Sequence, residues 1–186
     1  MSFAKINENK PVNQNQTVGG TPQAEIDLWV NRHNEARRNV GITQMVKWNE
    51  DLVTGTPGTI GARDWAKKCV FDHMIPSGKM PDGKTSIGEN LAYGSPFKNY
   101  PPSTQFTMWL NEGKHYNYRT GKSLTADSVG HFTQIINPNV KEIGCYCADC
   151  TKSPLGGNYC ICRYNRIQFS NDPILKCPPD RPYYST

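Results

Sequence analysis

The sequence predicts an α+β domain stapled by disulfides, and three observations carry that prediction. Apolar residues recur at helical spacing through much of the first 113 residues. β-Branched and aromatic runs separated by turn signals dominate from His131 to Tyr164. Six of the seven cysteines fall in the last 42 residues, a density that suits a disulfide framework in an oxidising compartment. At 186 residues the chain is long enough to bury a substantial core.

Residues 1–20 are polar, close on Gly19-Gly20, and read as a flexible N-terminal arm. Within it Asn15-Gln16-Thr17 is a glycosylation acceptor, in keeping with secretion. The first residues lack the apolar core of a secretory leader, so the chain is read as the form left after leader removal, with Met1 an expression start. Thr21 is expected to cap a first helix and Pro22 to open it. Ile26, Trp29, Val30, His33, Ala36, Arg37 and Val40 then share one helical stripe, and Gly41 ends it. His33 lies in that stripe and reads as a structural histidine with a backbone partner.

Asp51-Leu52 starts a second helix, but Gly55, Pro57 and Gly58 forbid its continuation, so residues 53–59 read as a loop. A helix is expected from Ile60 to His73, with Trp65, Cys69 and His73 on one face. Residues 76–102 are rich in Gly, Pro, Ser and Asn and read as a long loop holding Glu89. Loops of that length are uncommon unless functional. Ser103 is expected to cap the next helix, with Phe106, Trp109, Leu110 and Gly113 inward and Glu112 beside them. His131 to Ile136 reads as strand, Asn137-Pro138-Asn139 as a turn, and 143–147 and 158–164 as two further strands. Residues 169–186 read as a C-terminal extension, expected to wrap the surface with Cys177 as its pin.

Composition excludes some function classes. The net charge of +5 is mild and no Lys/Arg stripe is present, so nucleic acid is not an expected partner. No run of about 18 apolar residues is available to span a membrane. Disulfide candidates are Cys69, Cys145, Cys147, Cys150, Cys160, Cys162 and Cys177, with one left over and the pairing open. A zinc ribbon or a redox pair at Cys147/Cys150 is disfavoured, because Cys160-Ile161-Cys162 has the wrong spacing and the setting is a hairpin.

The chemistry resides in four dispersed residues, His73, Glu89, Glu112 and His131, expected to meet around one cavity. Two neutral imidazoles can hold Zn²⁺ or another divalent cation, and carboxylates can orient them through their second nitrogens. A hydrolytic zinc site normally has three protein ligands and an activated water. His73 and His131 therefore read as an open metal site that protons would empty; the alternative is a hydrogen-bonded cluster without metal. Ser77, Ser86 and Ser128 lie near the histidines in sequence, but none sits in a nucleophile elbow. A protease-like hydrolase is accordingly the alternative to a binding function, and no organic cofactor is implied.

Four segments in order, Asn31-Arg32-His33-Asn34-Glu35-Ala36-Arg37, Gly88-Glu89-Asn90, Trp109-Leu110-Asn111-Glu112 and Gly130-His131-Phe132-Thr133-Gln134, resemble the motifs of the CAP superfamily. That family holds cysteine-rich secretory proteins, insect venom antigen 5 and plant pathogenesis-related protein 1. The manner is similar to the venom allergen-like proteins of parasitic worms, and the resemblance spans residues 22–168. Three features depart from the pattern. Asn137 stands where an aromatic is usual, only Cys162-Arg163-Tyr164-Asn165 remains of a later signature, and the 53–59 insertion breaks the second helix. The resemblance implies a domain at 21–168, built as a three-layer α-β-α sandwich with a central antiparallel sheet and a large cavity that gathers the four groups. It implies an extracellular protein whose partners are fatty acids and sterols, with host extracellular proteins as further expected partners, and the serines' lack of a nucleophile elbow makes a non-enzymatic role the expectation. A fatty acid would lie between the first and fourth helices on Ile26, Trp29, Val30, Phe106 and Leu110. A sterol would meet an aromatic loop at Tyr93, Phe97, Tyr100 and Phe106.

Overall fold

A short antiparallel pair, β1 (Thr17–Val18) and β2 (Thr21–Pro22), leads into α1 (Gln23–Asn39). These coordinates come from a computed structural model, which describes residues 17–18, 20–75 and 78–168. Residues 1–16 and 19 of the expected arm, with Asn15, Ser77, Cys177 and the C-terminal extension, lie outside the described residues, whereas Thr17–Val18 at the end of that arm is paired strand rather than flexible chain. The N-cap of α1 is Pro22 rather than Thr21, whose hydroxyl instead donates to Glu50 Oε1 at 3.1 Å. Gly41, at φ 81°, turns the chain out of the helix as its position predicts.

Next come β3 (Lys47–Trp48), α2 (Asp51–Thr54) and a hairpin of β4 (Gly55–Thr56) and β5 (Thr59–Ile60). The expected loop at 53–59 is thus the end of a short helix and a hairpin. Glycine is required at its base: a Cβ on Gly61 would stand 2.1 Å from the Val53 carbonyl oxygen. The helix expected to reach His73 is short, α3 (Ala62–Ala66). Cys69 takes a left-handed φ of 54° and is tied by a disulfide to Cys150, which ends helical continuation. Trp65, Cys69 and His73 therefore do not share a helical face.

β6 (Gly88–Gly94) occupies the middle of the expected long loop, because its backbone pairs residue for residue with a later strand. α4 (Pro102–Asn111) is capped by Pro101 rather than Ser103 and continues as a 3₁₀ turn over Glu112–His115. A small hairpin, β7 (Tyr116–Asn117) with β8 (Lys122–Ser123), precedes α5 (Gly130–Ile135). The chain closes on β9 (Glu142–Asp149) and β10 (Asn158–Tyr164), strands the sequence predicts.

His131 thus lies on a helix, not a strand. Its neighbours Phe132, Ile135 and Ile136 are fully buried and spaced i, i+3, i+4, a helical stripe in β-prone residue types. Tertiary partners hold both ends. The Glu112 carboxylate accepts the Phe132 N–H at 3.1 Å. The buried Arg37 guanidinium donates to the carbonyls of Ile135 and Asn137, each at 2.9 Å, and to Val140 at 3.1 Å. An anion at the start and a cation at the end of a helix satisfy its orphan backbone groups.

The main sheet has the order β3-β9-β10-β6. Three strands are antiparallel, whereas β3 joins β9 in parallel, so the sheet is not wholly antiparallel. Alternate residues face two cores. On one face Ile143, Cys145, Cys160, Cys162 and Tyr164 pack with Trp29, Phe106, Trp109 and Phe132 from α1, α4 and α5. On the other, Leu91, Tyr159 and Ile161 pack with Ala62 and Ala66 of α3. The α-β-α layering follows. Cys145–Cys162 and Cys147–Cys160 cross-link residues directly opposite on β9 and β10, while Cys69–Cys150 ties a loop to the end of β9. Cys147 and Cys150 pair with other partners, so they form no redox or zinc pair.

Candidate functional site

An open cavity of about 720 Å³ lies between β6, α5 and the loop after α3. His73, Glu89 and His131 line it, with Asn90, Ser128 and Gln134 as further polar groups and Met74, Ile75, Ile87 and Ile167 as apolar wall. Glu112 sits behind His131. The four dispersed residues are therefore brought together as two imidazole–carboxylate pairs.

In the first pair, His131 Nδ1 lies 2.6 Å from Glu112 Oε1. A carboxylate only accepts, so Nδ1 carries the hydrogen and a neutral ring leaves Nε2 as its lone-pair nitrogen. Trp109, on the preceding helix, stacks near this ring with centroids 6.1 Å apart. In the second pair, His73 Nδ1 lies 3.3 Å from Glu89 Oε1, and the same tautomer follows. The hydrogen bond to Glu89 holds the His73 pKa above its ordinary value. Glu89 is a buried carboxylate on a strand. Its Oε1 also accepts the Met74 N–H at 3.1 Å. Its Oε2 stands 3.2 Å from Arg163 Nε, an ion pair rather than an aligned hydrogen bond. Arg163 also donates to the Ile60 carbonyl.

Behind the cavity runs a hydrogen-bonded chain that sequence reasoning missed. His33 Nδ1–H donates to the Trp29 carbonyl at 2.8 Å, the backbone partner expected of it. Its Nε2 accepts the Tyr164 hydroxyl at 3.0 Å. Asn90 Nδ2 donates to that same hydroxyl oxygen and to the His131 carbonyl, both at 3.0 Å. Burial pushes the His33 pKa down to about 3, so the ring is neutral at physiological pH. Asn90 had a signal, its place beside Glu89 in Gly88-Glu89-Asn90; Tyr164 and Arg163 were visible only as remnants of a signature.

The expected lipid residues are placed differently. Trp29 and Phe106 are fully buried against each other, with ring centroids 6.2 Å apart, and Ile26 is buried, so these three are core. Val30 and Leu110 remain half-buried at the rim of that core. Of the aromatic set, Phe97 is exposed, Tyr93 and Tyr100 are half-buried, and Phe106 faces the core instead of solvent. Ser86 accepts from Lys79 Nζ at 2.7 Å and Ser128 from the Gly130 N–H at 3.2 Å, rather than pairing with an imidazole.

Among the described residues no helix is long and apolar enough to cross a membrane. Comparison with known proteins agrees with the fold. The profile of the cysteine-rich secretory protein family, CAP, matches residues 30–164. The chain is 28% identical over 185 residues to fruiting body protein SC14 of Schizophyllum commune, covering 93% of this chain and 72% of that one. It is 31% identical over 161 residues to cysteine-rich secretory protein 3 of Equus caballus, covering 80% of this chain and 63% of the horse protein, under two thirds of its length. The structure of venom allergen-like protein 4 of Schistosoma mansoni superposes with a TM-score of 0.61 at 26% identity, over 81% of this chain and 92% of that one. The chain belongs to the CAP, or cysteine-rich secretory protein, family.

Proposed function

We propose that this chain is a secreted binding protein whose central cavity takes a divalent cation, rather than a hydrolase. One observation supports this most: two imidazoles line one cavity with Nδ1 committed to a carboxylate, which leaves Nε2 of each as the available ligand atom. The donor types, two imidazole nitrogens completed by water, suit Zn²⁺, and His73 and His131 are the residues that would hold it. This set does not fit a three-ligand hydrolytic centre, since among the described residues no three His, Cys, Asp or Glu side chains are placed to hold a metal ion. A bound Zn²⁺ supplies a positive centre for an anionic or carbonyl group. Glu89 and Glu112 orient the rings, and the apolar wall of Met74, Ile75, Ile87 and Ile167 suits the carbon skeleton of a small ligand. Three disulfides among the described residues support an oxidising, extracellular setting.

Calorimetric titration with Zn²⁺ tests the reading. Replacing either histidine, His73→Ala or His131→Ala, is expected to weaken binding at least tenfold, on the scale seen for residues that orient metal ligands. Wild-type affinity should fall as pH drops through the histidine range, because protons compete for the same nitrogens. Unchanged affinity in the double variant would refute it.

A second reading, fatty-acid binding between α1 and α4, draws on the half-buried Val30 and Leu110 beside the exposed Met108. Trp29 and Phe106 would contribute only after displacement from each other. Fatty-acid binding that is lost in Leu110→Asp supports this reading; binding indifferent to that change removes it. Sterol contact, in the same terms, rests on Phe97 with Tyr93 and Tyr100.

A further inference from the structure

We propose that Asn90 and Tyr164 are positioning residues for His131, holding its imidazole in place at the cavity wall. The observation that carries this is a peptide group pinned at both ends. The His131 carbonyl and the Phe132 N–H belong to one planar trans unit, so they point in opposite directions. Asn90 Nδ2 donates to the carbonyl at 3.0 Å, and Glu112 Oε2 accepts the N–H at 3.1 Å. The other oxygen of Glu112 takes the ring itself, with His131 Nδ1 at 2.6 Å. Backbone and ring are thus tied to one carboxylate, and Asn90 closes the clamp from the opposite side.

A clamp is needed because α5 has only 6 residues, too few to hold its shape alone. Asn90 can supply it because it is itself anchored. It is 1% exposed on β6, and its amide nitrogen also donates to the Tyr164 hydroxyl oxygen at 3.0 Å. That hydroxyl donates in turn to His33 Nε2 at 3.0 Å. His33 Nδ1–H ends the chain at the Trp29 carbonyl, at 2.8 Å. From Asn90 to α1 every hydrogen points the same way, an order in which each bond polarises and strengthens the next. The chain therefore registers α5 against β6, β10 and α1 together.

Arg37 fixes the direction of the chain. One turn after His33, its buried guanidinium meets the backbone carbonyls of Gln44, Ile135, Asn137 and Val140. Burial first, and then this positive charge, disfavour a second proton on His33. The ring stays an acceptor toward Tyr164, so the Tyr164 oxygen keeps its lone pairs for Asn90. The Asn90 amide then keeps its nitrogen toward His131, whose carbonyl only accepts. His73 is held differently. Its N–H donates to Asp72 Oδ1 within its own loop at 2.8 Å, and its ring meets Glu89 at 3.3 Å.

Positioning His131 serves cation binding and so rests on the proposed metal site, but its test also runs without metal. In ¹⁵N NMR of the metal-free chain, a ring locked with its proton on Nδ1 shows widely separated nitrogen shifts. A loosened ring averages its tautomers and draws the two shifts together. Asn90→Ser and Tyr164→Phe are expected to do this to His131 and to leave the His73 ring unchanged. Zn²⁺ affinity in calorimetry should fall about tenfold in Asn90→Ser and about threefold in Tyr164→Phe. Asn34→Ala is the control for destabilisation alone, since buried Asn34 ties α1 to the Val46 backbone apart from the chain. It should lower stability and leave the His131 shifts as they are. If the wild type binds no Zn²⁺ while both variants loosen His131, the metal site fails and the positioning role stands. Unchanged His131 shifts in both variants overturn the proposal. So does equal loosening by Asn34→Ala, wild-type Zn²⁺ affinity in Asn90→Ser, or a Tyr164→Phe chain that does not fold.

Discussion

The two imidazole–carboxylate pairs use the same chemistry but fix opposite partners. In His131–Glu112 the ring is fixed. It rides on α5, whose ends are held by Glu112 and Arg37, and its contact is short at 2.6 Å. In His73–Glu89 the carboxylate is fixed. The Glu89 side chain is 3% exposed and locked between Arg163 and the Met74 N–H, while the His73 side chain is 54% exposed on a loop at 3.3 Å. The charge balance differs too. Arg163 neutralises Glu89, whereas Glu112 meets an imidazole and an amide N–H. One imidazole is therefore ready in place, and the other can adjust to what enters the cavity.

The most disruptive way to break this comparison is Arg163→Met. It strands a buried carboxylate, so chemical denaturation should show a loss of about 3–5 kcal/mol. A loss below about 1 kcal/mol would mean that the charge of Arg163 does not hold Glu89.

The next test contrasts a buried ring with an exposed one. The folded-state pKa of His33, about 3, is far below its unfolded value of 6.5. The stability this ring contributes is complete above pH 6.5 and lost as pH falls, by about 1.4 kcal/mol per unit, or about 3 kcal/mol by pH 4.5. Urea denaturation across that window should show the slope, and His33→Phe should flatten it. His73 has the opposite sign: its raised pKa stabilises at low pH, and that contribution disappears as pH rises through the folded value. Its exposure makes the effect small.

Glu112→Gln should cost about 2 kcal/mol, as a charged acceptor for two groups of α5 becomes a weaker one. It should also loosen the His131 ring, visible as broadened side-chain resonances. His73→Ala should be the mildest, within about 0.5 kcal/mol, because the ring is exposed and Glu89 keeps its other partners. Equal costs for Glu112→Gln and His73→Ala would erase the distinction between the pairs.

Much of the layout was legible in the sequence because local pattern and tertiary role agree there. The α1 stripe, the inward face of α4 and the strand at 158–164 are of this kind. Errors fell where tertiary partners overrule local preference. Phe132-Thr133-Gln134-Ile135-Ile136 is β-prone, yet caps supplied by Glu112 and Arg37, from distant parts of the chain, make it helical. Residues 88–94 look like loop because of their glycines, yet β10 provides every pairing partner. The helix through His73 fails at Cys69, whose disulfide to Cys150 no spacing reveals. Glu89, Glu112 and His131 stand in quoted motifs and His73 was chosen by residue type, and the structure gathers these four as two pairs. Arg163 and Tyr164 were missed as site residues, since their roles depend on strand register and burial rather than on any neighbour in sequence.

The central claim is that His73 and His131 present their Nε2 atoms to one cavity. The most direct test is ¹⁵N-edited NMR of the histidine rings during Zn²⁺ titration at neutral pH. The account predicts that both Nε2 resonances shift together and saturate at one equivalent, while both Nδ1 nitrogens keep their protons. Shifts confined to one ring, or metal bound through Nδ1, would contradict it.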